Sequence, residues 1–236
     1  CWGRARRRCS RMASHPLDNP VWNALAGPQA SLGIANGRFR RYADDFALFA
    51  AVENPADGFE GLAETLPAGT IQGLVALHPA AIPSGMELLE TANVSQMVAT
   101  RPRLVDASMP IRELGVADVP AMMELTALTH PGPFFVRTIE MGRYWGVLEG
   151  ERVVGMAGER MRIPGFVEIS AVCTHPEHRG RGYAKALVSA VARGIVAGGG
   201  TPFLHVRAGN TVAISTYEKL GFAVRETMAF TVVRRV

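Results

Sequence analysis

The sequence predicts an α/β protein built on a mixed, twisted sheet, and three observations support this fold class. A β-rich run at 166–173 breaks into a glycine-punctuated turn that opens an amphipathic helix. A second strand and helix follow at 203–221, and a hairpin at 144–158 precedes both units. Alternation of strands with helices is typical of α/β proteins, while a hairpin adds antiparallel pairing. We therefore expect parallel and antiparallel strands in one sheet.

Residues 12–103 are predicted to form a smaller α+β N-terminal domain whose role the sequence does not indicate. Apolar runs in this region predict three elements, which are a helix at 20–25 that ends at Gly27 and buried strands at 46–52 and 71–77. Residues 86–99 could be helical or mixed. The segment 104–110 is polar and flanked by prolines, so we predict a linker there.

Residues 111–236 are predicted to form the second and larger domain. Its first elements should be a strand at 111–114, helices at 119–129 and 134–141, and hairpin strands at 144–148 and 152–158. The strand at 166–173, the helix after it, the strand at 203–207 and the next helix should follow. A final strand is expected at 228–233.

The strand that contains Glu168 has two faces of different character. Simple alternation puts Phe166, Glu168, Ser170 and Val172 on one face and Val167, Ile169, Ala171 and Cys173 on the other. The second set is more apolar and is the better core face. Glu168 would then lie among apolar neighbours, where desolvation is expected to raise the pKa of its carboxyl group. A carboxylate with a raised pKa is a useful general base.

The turn at 179–184 has the features of an anion-binding site. Gly180 and Gly182 permit backbone conformations and close approaches that a Cβ would hinder. The first amides of the following helix have no internal acceptors and lie at the positive end of its macrodipole. Arg179 and Arg181 add positive charge. We predict that this turn binds a phosphate-bearing ligand, and that the helix ends at 198–200.

The strand at 203–207 is followed by a second capped helix. Asn210 is a good N-cap, and Gly221 is a good left-handed C-terminal residue. Tyr217 lies seven residues after Asn210, so the two side chains project from similar faces about 10 Å apart along the axis. One of them could contact a ligand while the other reaches the reaction centre.

Two motifs in this order resemble those of the GCN5-related N-acetyltransferase (GNAT) superfamily. Arg179-x-x-Gly182-x-Ala184 fits the R/Q-x-x-G-x-G/A pattern of its acetyl-CoA-binding segment, and Asn210, Tyr217 and the sequence at 219–222 resemble its last catalytic motif. The resemblance covers about residues 110–236. It implies a sheet splayed between the strands of Glu168 and Phe203. The N-terminal half resembles the degenerate partner half of FR47-like members.

The resemblance implies transfer of an acetyl group from acetyl-CoA, as co-substrate, to a primary amine in a ternary complex. The acceptor would be a small-molecule or peptide amine. Glu168, eleven residues before Arg179, would be the general base, and Tyr217 would protonate the departing thiolate. The pantetheine arm would run along Val172, Cys173 and Thr174, and Asn210 would contact it or the diphosphate. The backbone of Arg179, Gly180, Arg181, Gly182, Tyr183, Ala184 and Lys185 would bind the pyrophosphate.

Other site chemistries are less favoured by the sequence. Cys173, His175 and His178 form a single cluster, whereas structural zinc sites usually combine two short ligand pairs, so no metal is predicted. Cys173 has no partner histidine fixed by the sequence and is not expected to be a nucleophile. His205 could line the cleft between the splayed strands, but it is interpreted as a satisfied core histidine and is left out of the catalytic set.

Two rival functions stay open at this point. A protein with this fold could bind acyl-CoA as a regulatory module without turnover, since fold alone does not determine activity. An acyltransferase that uses a longer acyl-CoA is the other rival. The sequence does not identify the amine acceptor or the oligomeric state.

Composition sets outer limits on location and partners. Hydrophobic residues make up 48% of the chain and charged residues 19%, and no apolar run is long enough to cross a membrane. The formal charge of +4 falls to −1 without the five arginines that precede Met12. We interpret residues 1–11 as a leader or an added segment before a natural start at Met12, and we expect neither a nucleic-acid arm nor a secretory signal. Beyond this leader Cys173 is the sole thiol, which predicts a reducing, cytoplasmic location.

Overall fold

The computed structural model describes residues 15–236, which form one eleven-stranded sheet with helices on its faces. The predictions about the leader at 1–11 therefore lie outside the described residues. The strands are β1 (Gly33–Asn36), β2 (Phe39–Tyr42), β3 (Phe49–Val52), β4 (Ile71–Ala76), β5 (Met86–Val98), β6 (Arg112–Leu114), β7 (Tyr144–Glu149), β8 (Arg152–Ile163), β9 (Phe166–Thr174), β10 (Thr201–Arg207) and β11 (Ala223–Arg235). The α-helices are α1 (Pro20–Leu25), α2 (Val119–Thr129), α3 (Tyr183–Ala197) and α4 (Thr211–Lys219).

The sheet is mixed, as the sequence predicts. Its strand order is β1-β2-β3-β4-β11-β5-β10-β9-β8-β7-β6. The pairs β3–β4 and β9–β10 are parallel, and the other neighbouring pairs are antiparallel. β5, from the N-terminal half, lies between β10 and β11 of the C-terminal half. The division at 104–110 stays a prediction about domains, but hydrogen bonding within the sheet is continuous across it.

The predicted linker packs onto the larger half of the molecule. The backbone amide of Val105 donates a hydrogen bond to Ser189 Oγ of α3 at 3.1 Å. Leu104 and Met109 pack against the apolar cluster beneath the same helix. The segment contains no strand or helix, yet these contacts fix its path along α3.

Most of the predicted elements are present. α1, α2 and the β7–β8 hairpin lie at their predicted positions, and α3 ends at Ala197 with Gly198 as its C-cap. Asn210 is the N-cap of α4, because its Oδ1 accepts a hydrogen bond from the amide of Ala213 at 3.1 Å. β8 and β11 extend beyond their predicted ends. The β1–β2 hairpin was not predicted.

Two regions differ from the prediction. Within the predicted segment 86–99, Met86–Val98 form the long strand β5. Pairing with β11 along most of its length and with β10 at its C-terminal end outweighs the helix propensity of its Glu and Leu residues. Residues 134–141 form only a 3₁₀ turn at Thr138–Met141. Here Thr138 Oγ1 accepts a hydrogen bond from the amide of Phe135 and donates one to the carbonyl of Phe46. These side-chain hydrogen bonds replace backbone hydrogen bonds that a helix would need.

Helices cover the two faces of the sheet differently. α3 covers one face, where Leu187 and Val191 pack with Ile169 of β9. α1 covers the opposite face beside β3 and β8, where Val21 and Leu25 pack with Phe49 and Phe203. We call these sides the α3 face and the α1 face. No helix within residues 15–236 has the length and apolar character needed to span a membrane.

Candidate active site

A cleft opens where the two central parallel strands separate. β9 pairs with β10 only from Thr201↔Phe166 to Phe203↔Glu168. Beyond Glu168, β9 continues to Thr174 while β10 pairs with β5 instead. This divergence is the predicted splay between the Glu168 and Phe203 strands. It leaves a cleft with a volume of about 410 Å³.

A bulge in β9 turns its backbone into this cleft. The register against β8 passes from Gly158↔Ser170 to Met156↔Cys173, so β9 contains one extra residue between these pairs. Ala171 lies in this interval with a φ of 53°. The extra residue exchanges the faces of the strand, because Ile169 packs on the α3 face whereas Ala171 and Cys173 pack against α2. The predicted single core face of Val167, Ile169, Ala171 and Cys173 is therefore wrong beyond Ile169.

The turn before α3 presents unpaired backbone donors. Gly180 and Gly182 have φ values of 79° and 81°, and a Cβ at either position would meet open space. The first hydrogen bond of the helix runs from the amide of Ala186 to the carbonyl of Gly182 at 3.2 Å. Within the described chain, the amides of 180–185 donate to no other residue. The turn thus fits a diphosphate, which needs several donors near a positive helix end.

The remaining predicted binding residues surround the cleft between this turn and α4. Its lining includes Val172, Cys173 and Thr174 on β9, Arg179 at the turn, and Asn210 at the start of α4. Arg181 is exposed, and its Nη2 donates to the carbonyl of Glu177 at 3.3 Å. Tyr183, Ala184 and Lys185 form the first turn of α3. The cleft therefore runs from the diphosphate turn along the bulged strand.

Tyr217 projects into the same cleft from α4. It is buried, and burial raises the pKa of its phenol to about 12, with a further contribution from Cys173. Its hydroxyl donates to no other described residue. The phenol is therefore protonated near neutral pH and can donate a proton into the cleft. Burial also raises the pKa of the Cys173 thiol to about 11, so this thiol is a poor nucleophile.

Glu168 lies in surroundings that differ from the predicted ones. Its side chain is fully buried, and Arg160 binds it with a two-pronged contact, Nε to Oε2 and Nη2 to Oε1, both at 2.8 Å. His205 Nδ1 lies 2.8 Å from Oε1. Burial alone would raise the pKa of Glu168, but the Arg160 charge and these hydrogen bonds lower it to about 2. The prediction of a raised pKa among apolar neighbours is wrong, because two basic side chains were not anticipated there.

His205 and Arg160 connect Glu168 to the cleft. Both side chains line it, and Gln96 on β5 lies 3.1 Å from His205 Nε2. Gln96 Oε1 accepts from Arg225 Nη1 at 2.6 Å, which leaves the Gln96 amide group as the donor toward His205. His205 Nε2 is then an acceptor, and Nδ1 carries the proton donated to Glu168. The His205 side chain is buried and hydrogen-bonded, as predicted, and its ring also forms part of the cleft wall, a position that the sequence left open.

Arg160 was not identified from the sequence. The hairpin turn at Pro164 and Gly165 suggests that residue 161 lies opposite Glu168 if pairing is regular. The register instead passes from Arg162↔Val167 to Glu159↔Ile169, so β8 has one extra residue here and Arg160 reaches Glu168. A buried glutamate requires a cationic partner, and that requirement is the signal that could have pointed to an arginine nearby.

The histidine cluster beside the turn forms local contacts. Ligand atoms of His175, Glu177 and His178 lie within 4.8 Å of one another. His175 Nδ1 accepts from the amide of Glu177 at 3.3 Å, and His178 Nε2 lies 3.3 Å from Glu149 Oε2. The absence of a metal stays a prediction for this position.

Apolar side chains form the end of the cleft on the α1 face. The wall consists of Phe49, Val75, Val94, Met161 and Phe230. All but Met161 come from strands β3, β4, β5 and β11, so the N-terminal half contributes most of this wall. Nothing in the sequence indicates that these residues meet at the site.

Comparisons with known proteins place this geometry in context. A crystal structure of a protein assigned to the GNAT family of acetyltransferases, from Novosphingobium aromaticivorans, is 41% identical, covers 94% of this chain and 100% of that chain, and has a TM-score of 0.89. A family model described as FR47-like protein matches residues 144–231. A GCN5-related N-acetyltransferase from Kribbella flavida shares the fold. It is 14% identical, the match covers 91% of this chain and 96% of that chain, and the TM-score is 0.54.

A curated relative matches a shorter stretch. The mycothiol acetyltransferase of Corynebacterium glutamicum is 39% identical over 80 residues, which is 34% of this chain. The match spans 27% of the length of that relative.

Proposed function

Because this chain belongs to the GNAT family of acetyltransferases, we propose that it moves an acetyl group from acetyl-CoA to a primary amine in one ternary complex. The observation that supports this best is the combination of a turn at the start of α3, whose amides are unpaired in the described part of the chain, and a splayed, bulged strand that leads from this turn to Tyr217. Acetyl-CoA is a co-substrate in this proposal, and no metal is involved.

The turn and β9 would position the donor. The free amides of 180–185 bind the diphosphate, and the positive end of α3 favours its charge. The pantetheine arm runs beside Val172, Cys173 and Thr174, between β9 and the Asn210 end of α4. A strand amide near Val172 or Cys173 polarises the thioester carbonyl, because a donor aimed at the oxygen stabilises the negative charge that develops on it.

The amine would react in its neutral form. With a pKa of about 2 and a carboxylate covered by Arg160 and His205, Glu168 is too weakly basic and too enclosed to remove a proton directly. We therefore revise its role to that of a positioning residue, which holds the Arg160 and His205 side chains at the cleft wall. The amine loses its proton to water before it attacks the thioester carbonyl.

Tyr217 would complete the transfer. Attack by the amine forms the new C–N bond, and the C–S bond then breaks with its electron pair on sulfur. The phenol donates its proton to this thiolate, the new amide nitrogen releases its extra proton to water, and the phenolate takes a proton back from water, so charge and protons balance and Tyr217 returns to its starting form. The phenol can serve in this step because it is protonated near neutral pH and its side chain reaches the cleft.

The test measures acetyl-CoA binding by calorimetry and its turnover with a panel of amines. For Tyr217→Phe we expect kcat to fall by about 10²-fold with unchanged acetyl-CoA affinity. Tyr144→Phe is the matched control, because the Tyr144 hydroxyl is also buried, has no partner in the described chain and lies outside the cleft. Its kcat should equal that of the wild type.

The outcomes separate the rivals. Equal turnover by wild type and Tyr217→Phe would refute the acid role. Binding of acetyl-CoA without consumption of any amine would instead identify a regulatory module, and higher kcat/KM with longer acyl-CoA donors would identify a different acyltransferase.

A further inference from the structure

We infer that the end of the cleft on the α1 face is an acceptor subsite for a monoamine that bears a bulky apolar group, and that it discriminates against polyamines. This inference rests on the proposed function, because it assigns the acceptor of the same transfer. Three observations support it: the wall of this end is apolar, the lining that residues 15–236 give the cleft carries positive but no negative side chains, and this end lies on the far side of β10 from the turn before α3.

The wall is apolar and comes from neighbouring strands. Phe230 pairs with Val75 across β11 and β4, and Val94 pairs with Met228, two residues from Phe230. Side chains two residues apart along a strand share a face, so Val75, Val94 and Phe230 point to the same side of the sheet. Val75 and Val94 are themselves largely buried, so the gain comes from the acceptor: an apolar substituent that enters this end loses its own contact with water, which stabilises binding by about 25 cal/mol per Å² of buried apolar surface.

Two aromatic rings give this wall its shape. The ring centroids of Phe49 and Phe230 lie 6.2 Å apart with an interplanar angle of 53°. The Arg160 guanidinium covers the Phe49 ring, with its Cζ 4.7 Å from the ring centroid. An aryl group fits against such a wall because aromatic rings pair favourably in tilted arrangements. A branched alkyl group would pack against the faces of the same two rings. A thin, flexible polyamine chain would fill it poorly.

The charges around the cleft oppose a second ammonium group. Among residues 15–236, the charged side chains that line it are Arg160, Arg179 and Arg207, with no aspartate or glutamate. Glu90 lies close to this lining, but it is paired with Arg207. Glu168 is nearby, but it is already paired with Arg160 and His205. An additional ammonium would thus be desolvated without a counter-charge, which is strongly unfavourable. The same surroundings favour the neutral form of the reacting amine.

The subsite also lies on the correct side of the donor strand. The diphosphate turn and α3 lie at one end of the cleft, while the apolar wall belongs to β3, β4, β5 and β11 beyond β10. The His205 and Arg160 side chains line the same cleft. An acceptor seated on this wall would therefore approach the thioester from the side opposite the diphosphate.

The experiment compares 2-phenylethylamine with 1,4-diaminobutane as acceptors at saturating acetyl-CoA. We expect kcat/KM for 2-phenylethylamine to exceed that for 1,4-diaminobutane by at least about 10-fold. The reason is that only the aryl group buries a large apolar surface against the wall. Phe230→Ala should reduce this preference by about 10-fold, and Phe230→Leu by less. Leu88→Ala is the control, since Leu88 is exposed on β5 and lies outside the cleft. It should leave the preference unchanged.

Binding measurements keep this inference distinct from the proposed function. Calorimetric titration of 2-phenylethylamine into the CoA complex should show association that Phe230→Ala weakens, even if no turnover occurs. If CoA does not bind, the proposed function fails, and the amine is titrated into the free protein to test the subsite alone. A preference for 1,4-diaminobutane, an unchanged preference in Phe230→Ala, or no heat with 2-phenylethylamine would overturn the inference.

Discussion

At the scale of single residues, burial decides what a glutamate contributes. Glu168 and Glu113 each make a two-pronged contact with an arginine, Arg160 and Arg143, with both prongs at 2.8 Å. The Glu113 side chain is 47% exposed and that of Glu168 is 0% exposed. Exposed pairs contribute little because water screens them, whereas the loss of one member of a buried pair leaves an uncompensated charge. The two ion pairs have the same geometry but different burial, so comparing them isolates the effect of burial on stability.

We predict that Glu168→Gln lowers the free energy of unfolding by about 3–5 kcal/mol near pH 7. The matched change Glu113→Gln should lower it by less than about 1 kcal/mol. Urea unfolding at fixed pH measures both values. Similar losses in the two variants would contradict the structural role assigned to the Arg160–Glu168 pair.

The same pair predicts an acid-sensitive stability. The pKa of Glu168 falls from an ordinary 4.5 to about 2 on folding. Its stabilising contribution is therefore complete above about pH 4.5 and is lost as the pH falls toward 2. We expect the difference in unfolding free energy between wild type and Glu168→Gln to shrink across this range. A constant difference from pH 6 to pH 2.5 would show that Glu168 is not paired as described.

At the scale of elements, the turn before α3 and the helix α4 that carries Tyr217 follow local rules. The glycines before α3, the free amides of its first turn and the Asn210 cap of α4 were predicted from the sequence and are present. The β9 bulge was not predicted, because no residue between 166 and 174 is typical of one. Its extra residue is accommodated by the neighbouring strand and helices, and it decides which side chains face α2.

We predict that Gly182→Ala weakens CoA binding about 10-fold, because an alanine resists the left-handed conformation and its Cβ enters the ligand's approach. Gly199→Ala is the control. Gly199 has a φ of 77°, and its Cβ would also meet open space, but it lies beyond the other end of α3. Both variants should lose about 1–2 kcal/mol of stability. Equal CoA affinities by calorimetry would argue against diphosphate binding at this turn.

At the scale of the whole molecule, β5 joins the two halves. It pairs with β11 from Ala223↔Val98 to Arg235↔Met86, and with β10 from Phe203↔Val98 to Arg207↔Val94. Unfolding of residues 15–103 alone would leave long edges of β10 and β11 unpaired, which is unfavourable for a sheet. The predicted domains at 12–103 and 111–236 are therefore expected to unfold together.

This expectation can be tested with the two tryptophans of the described chain. Trp22 lies on α1 and Trp145 on β7, so each reports on one half. In variants with Trp2→Phe and either Trp22→Phe or Trp145→Phe, urea unfolding followed by fluorescence should give coincident midpoints. Separate midpoints, or two peaks in scanning calorimetry, would show that the halves are independent.

The sequence by itself determined the parts of this protein that depend on neighbouring residues along the chain. The phosphate turn, the caps of α3 and α4, the β7–β8 hairpin and the protonated phenol candidate Tyr217 are set by local backbone preferences and short motifs. The tertiary structure decided the partners of Glu168, the strand state of 86–98 and the apolar wall at the α1 end of the cleft. These depend on strand register and on contacts between distant segments, and one extra residue in β8 or β9 is enough to change which side chains meet.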